Sequence, residues 1–134
     1  AHRVSAIASL IARLTRTYPG ISGIWLFGSR ANGTARDNSD WDLLIFADEP
    51  TFQRIQGNRR LRQSDVDLLM VRDGNDFREP WGKSPKRGFL SEWEWRTISE
   101  NEARYLGAKR VDSDDGSEVK LTECKAIRIW PEVQ

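Results

Sequence analysis

The chain of 134 residues has few of the side chains from which many functional sites are built. It contains one cysteine, Cys124, so an internal disulfide and a cysteine zinc cluster are both excluded. Its one histidine, His2, is the second residue, where we do not expect a catalytic group. We therefore expect Cys124 to be a small core or strand residue, and the chemistry to rest on other side chains.

Long apolar runs and an excess of charge of one sign are missing too. No stretch approaches the roughly 18 apolar residues of a membrane span, and the first residues lack the charged-then-apolar order of a signal peptide. Lys and Arg number 21 against 20 Asp and Glu, and the net charge of +1 gives no strong nonspecific attraction to nucleic acid. We expect one cytoplasmic domain over residues 1–134, without membrane contact.

Apolar spacing predicts the order of helices and strands. Apolar residues recur at helical intervals from Val4 to Leu14, which predicts an amphipathic first helix. Buried strands are predicted over residues 21–27, 40–47 and 65–71, with an arginine-rich helix between the second and the third.

The second half of the chain gives weaker signals. Residues 75–88 are rich in turn residues and predict a loop that acts as a mobile flap, with the basic residues Lys83, Lys86 and Arg87. Residues 91–99 alternate and predict a strand, with a helix as the alternative. The Asp-Gly step at 115–116 predicts a hairpin within a β-rich extension over 90–134.

Six tryptophans are unusual in so short a chain. We expect Trp25 to be a core residue. Four others could line a surface for a base or a partner, although packing in the core or a hairpin is favoured for each: Trp41, Trp93, Trp95 and Trp130.

A Gly-Ser turn follows the first predicted strand. Gly28 stands where that strand ends, and a glycine there lets the backbone approach a bulky anion closely. Ser29 adds a hydroxyl donor, and the N–H groups of a short helix or nest that begins at Ser29 would face phosphate oxygens.

Two aspartates open the second predicted strand. Asp40 and Asp42 are two positions apart, so their carboxylates point to one side of a strand, with Cα atoms roughly 6 to 7 Å apart. Magnesium is usually held by one or two carboxylates together with substrate phosphates. The two motifs predict a single phosphate clamp, in which Mg²⁺ and the Gly28–Ser29 turn hold a nucleoside triphosphate from opposite sides.

Each motif also has an ordinary explanation. A Gly-Ser pair alone is usually a plain turn, and Asp-x-Asp alone is usually a solvated strand end. Their occurrence together at this spacing is far less ordinary, and it favours the phosphate site.

These residues resemble the minimal nucleotidyltransferases of the polymerase-beta superfamily, over about residues 21–71. The family pattern Gly-Ser-x-Ala-x-Gly is met by residues 28–33, and Ser-Asp-x-Asp-Leu by residues 39–43. The resemblance implies a polymerase-beta-like fold of the α/β (α+β) class, which is a single domain with a mixed β-sheet flanked by helices.

The family also places a third aspartate on a later strand. Asp67 fits that position best, and Asp65, at the edge of the same predicted strand, is the alternative. Asp67 lies among apolar residues, so we expect its charge to be poorly solvated unless a cation or hydrogen bonds compensate. We assign Asp40, Asp42 and Asp67 to one or two Mg²⁺ ions, with Asp67 also helping the acceptor hydroxyl to lose its proton.

The chain departs from the family pattern at three places. Asn32 stands where the family often has arginine, so we expect Arg30 or Arg36 to contact the phosphates instead, with Arg30 the assigned nucleotide-binding residue beside Gly28 and Ser29. Trp41 replaces an aliphatic residue, and beyond residue 72 the resemblance fades.

The resemblance implies transfer of a nucleoside monophosphate, usually AMP from ATP, with release of pyrophosphate. It also suggests an all-helical toxin as the acceptor, since minimal nucleotidyltransferases of two-gene modules act as antitoxins by adenylylating such a partner. One alternative is a homodimer that modifies a small aminoglycoside-like molecule. Another is a nucleotide-binding regulatory module without transfer. A DNA polymerase is disfavoured, because nothing in the sequence suggests a grip on a template.

Overall fold

The computed structural model describes residues 7–110 and 119–131. The α-helices of this part of the chain are α1 (Ala8–Thr17), α2 (Ser29–Asn32) and α3 (Glu49–Gln56), and short 3₁₀ turns lie at Arg59–Leu61 and Leu90–Trp93. The strands are β1 (Ile21–Phe27), β2 (Trp41–Ala47), β3 (Val66–Arg72), β4 (Asp76–Arg78), β5 (Arg87–Phe89), β6 (Arg96–Thr97), β7 (Glu102–Arg110) and β8 (Val119–Trp130).

These strands form one mixed sheet in the order β5-β4-β3-β2-β1-β8-β7-β6. Strands β2 and β3 are parallel, and every other neighbouring pair is antiparallel. A parallel pair needs a crossover between its strands, and α3 supplies it. The predicted mixed sheet with helices is confirmed, although the fold contains more strand than expected, because β4 to β8 extend the sheet on both sides of the first three strands.

The two faces of the sheet are covered differently. On the helix face, α1 and α3 pack on alternate residues of β1 to β3, such as Ile24, Leu43 and Met70. The opposite face holds a second apolar cluster that includes Trp25, Leu44 and half-buried aromatic rings. Because both faces are covered, β1 to β3 are apolar at consecutive positions, which is the pattern of the predicted buried strands.

Helix α3 begins at the acidic segment that follows β2. Asp48 is its N-cap, and the side-chain Oδ1 accepts a hydrogen bond of 3.0 Å from the N–H of Thr51. A proline in the first turn suits this position, because its missing N–H has no partner within the helix there. Phe52 and Ile55 are buried against the sheet, so a helix between the second and third strands is confirmed. The helix ends at Gln56 and contains one arginine, Arg54, because the other arginines of this segment lie in or after the 3₁₀ turn Arg59–Leu61.

The strand predicted over residues 91–99 is wrong. Residues 90–93 form a 3₁₀ turn, Glu94 ends it in the left-handed conformation (φ 54°), and only Arg96–Thr97 pairs as a strand. The two tryptophans on either side of Glu94 instead turn toward one aromatic cluster: Trp93 lies 5.8 Å and Trp95 6.2 Å from Tyr105, measured between ring centroids. Tertiary packing therefore overrides the local alternation.

The loop predicted over residues 75–88 is wrong in part. Strand β4 and the start of β5 lie within this range and pair with each other, so only Asn75 and residues 79–86 lie outside the strands. Other predicted elements agree with the structure. Strands β7 and β8 form the predicted C-terminal hairpin, while its Asp-Gly step and Val4 lie outside the described residues. Trp25 and Trp41 are buried, and Cys124 is a strand residue, as expected. Among the described residues, no helix is long and apolar enough to cross a membrane.

Candidate active site

Two of the three predicted metal ligands lie side by side. In the parallel pairing of β2 with β3, Asp42 is the direct partner of Asp67, and on its other side Asp42 pairs with Phe27 of β1. All three positions belong to the face opposite α1 and α3. Asp65 precedes β3 and is exposed, and its carbonyl accepts the N–H of Trp41 at 2.8 Å.

The prediction that Asp67 is the poorly solvated carboxylate is wrong. Asp67 is exposed and Asp42 is half-buried. The cause is their place in the sheet: Asp42 lies on a strand with neighbours on both sides, whereas β4 pairs only with residues 70–72 of β3 and leaves the start of that strand open. The carboxylate that loses hydration is therefore the one on β2.

The surroundings of Asp42 favour its protonated form. Burial contributes most, followed by the charge of Asp67, a hydrogen bond to the Asp67 carboxyl and the charge of Asp40; together they raise the pKa of Asp42 to about 7. Lys86 opposes this rise. Two carboxyl groups that face each other across neighbouring strands share a proton readily, and a cation can take the place of that proton.

Asp42 and Asp67 line a cavity of about 290 Å³, which we call the carboxylate cavity. Phe27 and Trp93 supply aromatic walls, and Glu79 and Lys86 supply a further carboxylate and an ammonium group. Sequence reasoning missed Glu79 altogether and placed Lys86 only in a loop. No local pattern marks either residue, because the folding of the β4–β5 hairpin brings them to the cavity.

Asp40 stands apart from this pair. It is exposed just before β2, close enough for its charge to act on Asp42. Within residues 7–110 and 119–131, no group of three or more His, Cys, Asp or Glu side chains converges as a metal centre. The structure thus brings Asp42 and Asp67 together and leaves Asp40 at the rim, so the three-ligand metal site remains a prediction.

Gly28 lies directly against Asp42. Its backbone has φ +71°, and a β-carbon at this position would overlap Oδ2 of Asp42. The carbonyl of Gly28 accepts hydrogen bonds from the N–H groups of Ala31 and Asn32, which close the short helix α2 behind the turn. Glycine at position 28 is therefore required both by the backbone conformation and by the approach of the carboxylate.

A residue that sequence reasoning missed holds this turn from the far side. The N–H of Gly28 donates a 2.9 Å hydrogen bond to the hydroxyl of Tyr105 on β7, and that hydroxyl also interacts with the side chain of Asn32. Tyr105 is buried, and burial is the main cause that raises its pKa to about 12. The only sequence signal for Tyr105 is its place in the predicted β-rich extension over 90–134, which does not identify its partner.

Asn32 ties α2 to the C-terminal hairpin. Its side-chain nitrogen donates to the carbonyls of Gly28 (2.8 Å) and Lys125 (3.1 Å), and its oxygen accepts the N–H of Lys125 (2.9 Å). The asparagine that replaces the family's arginine is thus bound to backbone groups of the turn and of β8.

Ser29 opens on a different cavity from Asp42. It lines, with Gly28, Thr34, Tyr105 and Thr122, a space of about 440 Å³ between α2 and the β7–β8 hairpin. The structure therefore does not place Ser29 and Asp42, the two halves of the predicted clamp, in one cavity. They are linked through Gly28, which contacts Asp42 and lines the second space.

Arg30 holds the loop that leads to Asp40. Its guanidinium donates to the carbonyl of Ser39 at 2.7 and 3.2 Å and to that of Asp37 at 3.3 Å. It also stacks over the indole of Trp41, 4.5 Å from the ring centroid. The predicted role of Arg30 in nucleotide binding remains a prediction; its contacts order the segment between α2 and β2.

The chain is similar to known proteins over a segment that includes several of these site residues. Residues 10–61 match the family model described as "Polymerase beta, Nucleotidyltransferase". The match includes Gly28, Ser29, Asp40 and Asp42 and ends before Asp67. No curated protein matches the chain. A solved structure described as "a putative nucleotidyltransferase from Sulfolobus solfataricus" is similar over 53% of this chain and 68% of its own, at 24% identity and a TM-score of 0.46.

Proposed function

We propose that this protein is a Mg²⁺-dependent nucleotidyltransferase that moves a nucleoside monophosphate from a nucleoside triphosphate to a hydroxyl group. The match of residues 10–61 to the polymerase beta nucleotidyltransferase family model supports this proposal. The observation that supports this most is the pairing of Asp42 with Asp67 next to the Gly28 turn. Two adjacent carboxylates, one of them half-buried, repel each other unless a proton or a cation lies between them. Carboxylate oxygens are ligands that suit Mg²⁺, so the donor chemistry of the pair fits this ion.

Each residue then has a distinct part in the reaction. Asp42 and Asp67 would hold Mg²⁺, with Asp40 added from the rim. The bound ion would neutralise charge on the triphosphate and on the attacking oxygen. Ser29 would donate a hydrogen bond to a phosphate oxygen, and Gly28, which has no side chain, lets the carboxylate of Asp42 lie against the turn that precedes Ser29. Asp67, the exposed member of the pair, takes the proton of the acceptor hydroxyl.

Our proposal for the donor, the transferred group and the acceptor rests on the sequence resemblance. We propose ATP as the donor, AMP as the transferred group and an all-helical partner protein as the acceptor. Phe27 and Trp93 give the carboxylate cavity two aromatic walls, which suit a flat ring or an apolar segment of a substrate.

Transfer can be tested by incubating the protein with Mg²⁺, each of the four nucleoside triphosphates and any small all-helical protein that a neighbouring reading frame encodes, followed by intact mass measurement of both proteins. We expect the partner to gain the mass of one AMP. D42N is the inactive control, and D65N is the matched control at an exposed aspartate just before the adjacent strand.

Other outcomes select the alternative functions. Transfer to an aminoglycoside but not to the protein would favour the small-molecule enzyme. Tight binding of MgATP with no transfer to any acceptor would favour a regulatory nucleotide-binding module. Transfer that is equal in D42N and wild type would contradict the assignment of the site.

A further inference from the structure

We propose that Lys86 binds the departing pyrophosphate of the transfer reaction, and this inference rests on the proposed function. Lys86 lines the carboxylate cavity together with Asp42 and Asp67. It lies outside the segment that matches the family, so the family pattern does not assign it a role.

The need for such a residue follows from charge. Of the residues that line the carboxylate cavity, all within the described part of the chain, Lys86 alone is basic, while Asp42, Asp67 and Glu79 are acidic. A triphosphate carries several negative charges, and those on its two outer phosphates grow as pyrophosphate leaves. A positive side chain on the same cavity therefore stabilises the leaving group in a place where the other side chains repel it.

Two other polar side chains near the turn, Arg30 and Asn32, bind backbone groups. Arg30 donates to the carbonyls of Ser39 and Asp37. Asn32 is bound to backbone groups of Gly28 and Lys125. The position where the family often has arginine thus supplies no cation here, and Lys86 supplies one from the opposite side of the site.

The backbone around Lys86 is held in place. Its carbonyl accepts a 2.8 Å hydrogen bond from the N–H of Glu79, and its own N–H donates to Oε1 of Glu79 at 2.9 Å. These bonds extend the β4–β5 pairing by one step beyond the partners Arg78 and Arg87. The position of Lys86 is thereby fixed, while its exposed side chain can reach a bound anion.

The reaction balances without a further reactant. The acceptor hydroxyl oxygen forms a bond to the α-phosphorus, and the bond from that phosphorus to the bridging oxygen breaks. Pyrophosphate leaves with the bonding electron pair, and the hydroxyl proton passes to Asp67. Lys86 takes no part in the proton transfer and contributes only its charge and hydrogen bonds.

The binding of pyrophosphate tests this role without an acceptor. Calorimetric titration with magnesium pyrophosphate would compare wild type with K86M, K86R and K83M; Lys83 is exposed in the same loop and does not line the cavity. We expect K86M to bind about 10- to 100-fold more weakly, as follows from the loss of a hydrogen bond to a charged group. K86R should retain most of the affinity, and K83M should match wild type.

Two results would overturn the proposal. One is equal affinity in K86M and K83M. The other is a loss of Mg²⁺ affinity in K86M, measured without pyrophosphate, that is as large as its loss of affinity for magnesium pyrophosphate. Lys86 would then act on the carboxylates and not on the phosphates. Absence of nucleotide transfer by the wild type would instead refute the proposed function, because the pyrophosphate titration needs no transfer. Where transfer occurs, K86M should lower kcat and weaken product inhibition by pyrophosphate.

Discussion

The amide of Gly28 and the hydroxyl of Tyr105 are 77 positions apart in the chain and are joined by a 2.9 Å hydrogen bond. Gly28 belongs to the segment that matches the family, and Tyr105 belongs to β7, outside it. The turn beside Asp42 is therefore positioned by a strand that lies beyond the family motif.

The first prediction concerns this bond. Y105F removes the only group that the structure shows accepting the Gly28 N–H, and we expect a stability loss of about 1 kcal/mol together with a higher KM for the nucleotide. Y18F is the matched control, because Tyr18 is also buried and its hydroxyl accepts a hydrogen bond from Asn58 far from the site. Thermal unfolding should show a loss in both variants, but nucleotide titration a loss only in Y105F. Equal nucleotide affinity in Y105F and wild type would contradict a positioning role.

The second prediction concerns the requirement for glycine at position 28. Gly28 (φ 71°, ψ −156°) lies in a backbone region that is essentially restricted to glycine, and a β-carbon there would also meet Asp42. Gly33 (φ 73°, ψ 16°) has left-handed backbone, and nothing lies within 4 Å of a β-carbon there. G28A should therefore lose more stability than G33A and should also lose transfer activity. Denaturant unfolding and a transfer assay on both variants measure the difference; similar losses in the two variants would contradict the requirement for glycine at position 28.

The third prediction is a dependence of stability on pH. In the absence of metal the folded state raises the pKa of Asp42 from 3.8 to about 7, so the folded protein holds a proton more tightly than the unfolded chain does. Folding is then penalised as pH rises between these values. D42N lacks this penalty, so its melting temperature should rise relative to that of wild type as the pH increases from 4 to 8. A difference in melting temperature between D42N and wild type that stays constant from pH 4 to pH 8 without metal would contradict the raised pKa of Asp42.

D42N should also abolish nucleotide transfer while its melting temperature at neutral pH holds or rises. D40N should likewise abolish transfer and leave the fold intact. Retention of near wild-type transfer by the D40N/D42N double variant would refute the metal site.

The fourth prediction distinguishes Asp67 on the third strand from Asp65, which directly precedes it. D67N should lower the single-turnover transfer rate by about 100-fold or more, the effect of losing a general base, with a smaller loss of nucleotide binding. D65N should stay within about tenfold of wild type, because Asp65 is exposed and does not line the carboxylate cavity. Full activity in D67N together with inactivity in D65N would transfer the role to Asp65.

The sequence determined the features that depend on near neighbours in the chain. The strand over residues 21–27 and the short helix after Gly28 follow from an apolar run and from the backbone freedom of glycine. The Gly28–Ser29 pair together with the spacing of Asp40 and Asp42 was enough to identify the family-matched motif.

Only the tertiary structure decided which groups meet at the site. The burial of Asp42 instead of Asp67 depends on which strands flank β2 and β3. The sequence of a single strand does not predict its neighbours in the sheet. The β4–β5 hairpin brings Glu79 and Lys86 to the site, and β7, on the other side of the sheet, brings Tyr105. No local sequence pattern predicts these contacts. Hydration and charge at a carboxylate are set by everything that surrounds it in space, so these properties appear only when the chain is folded.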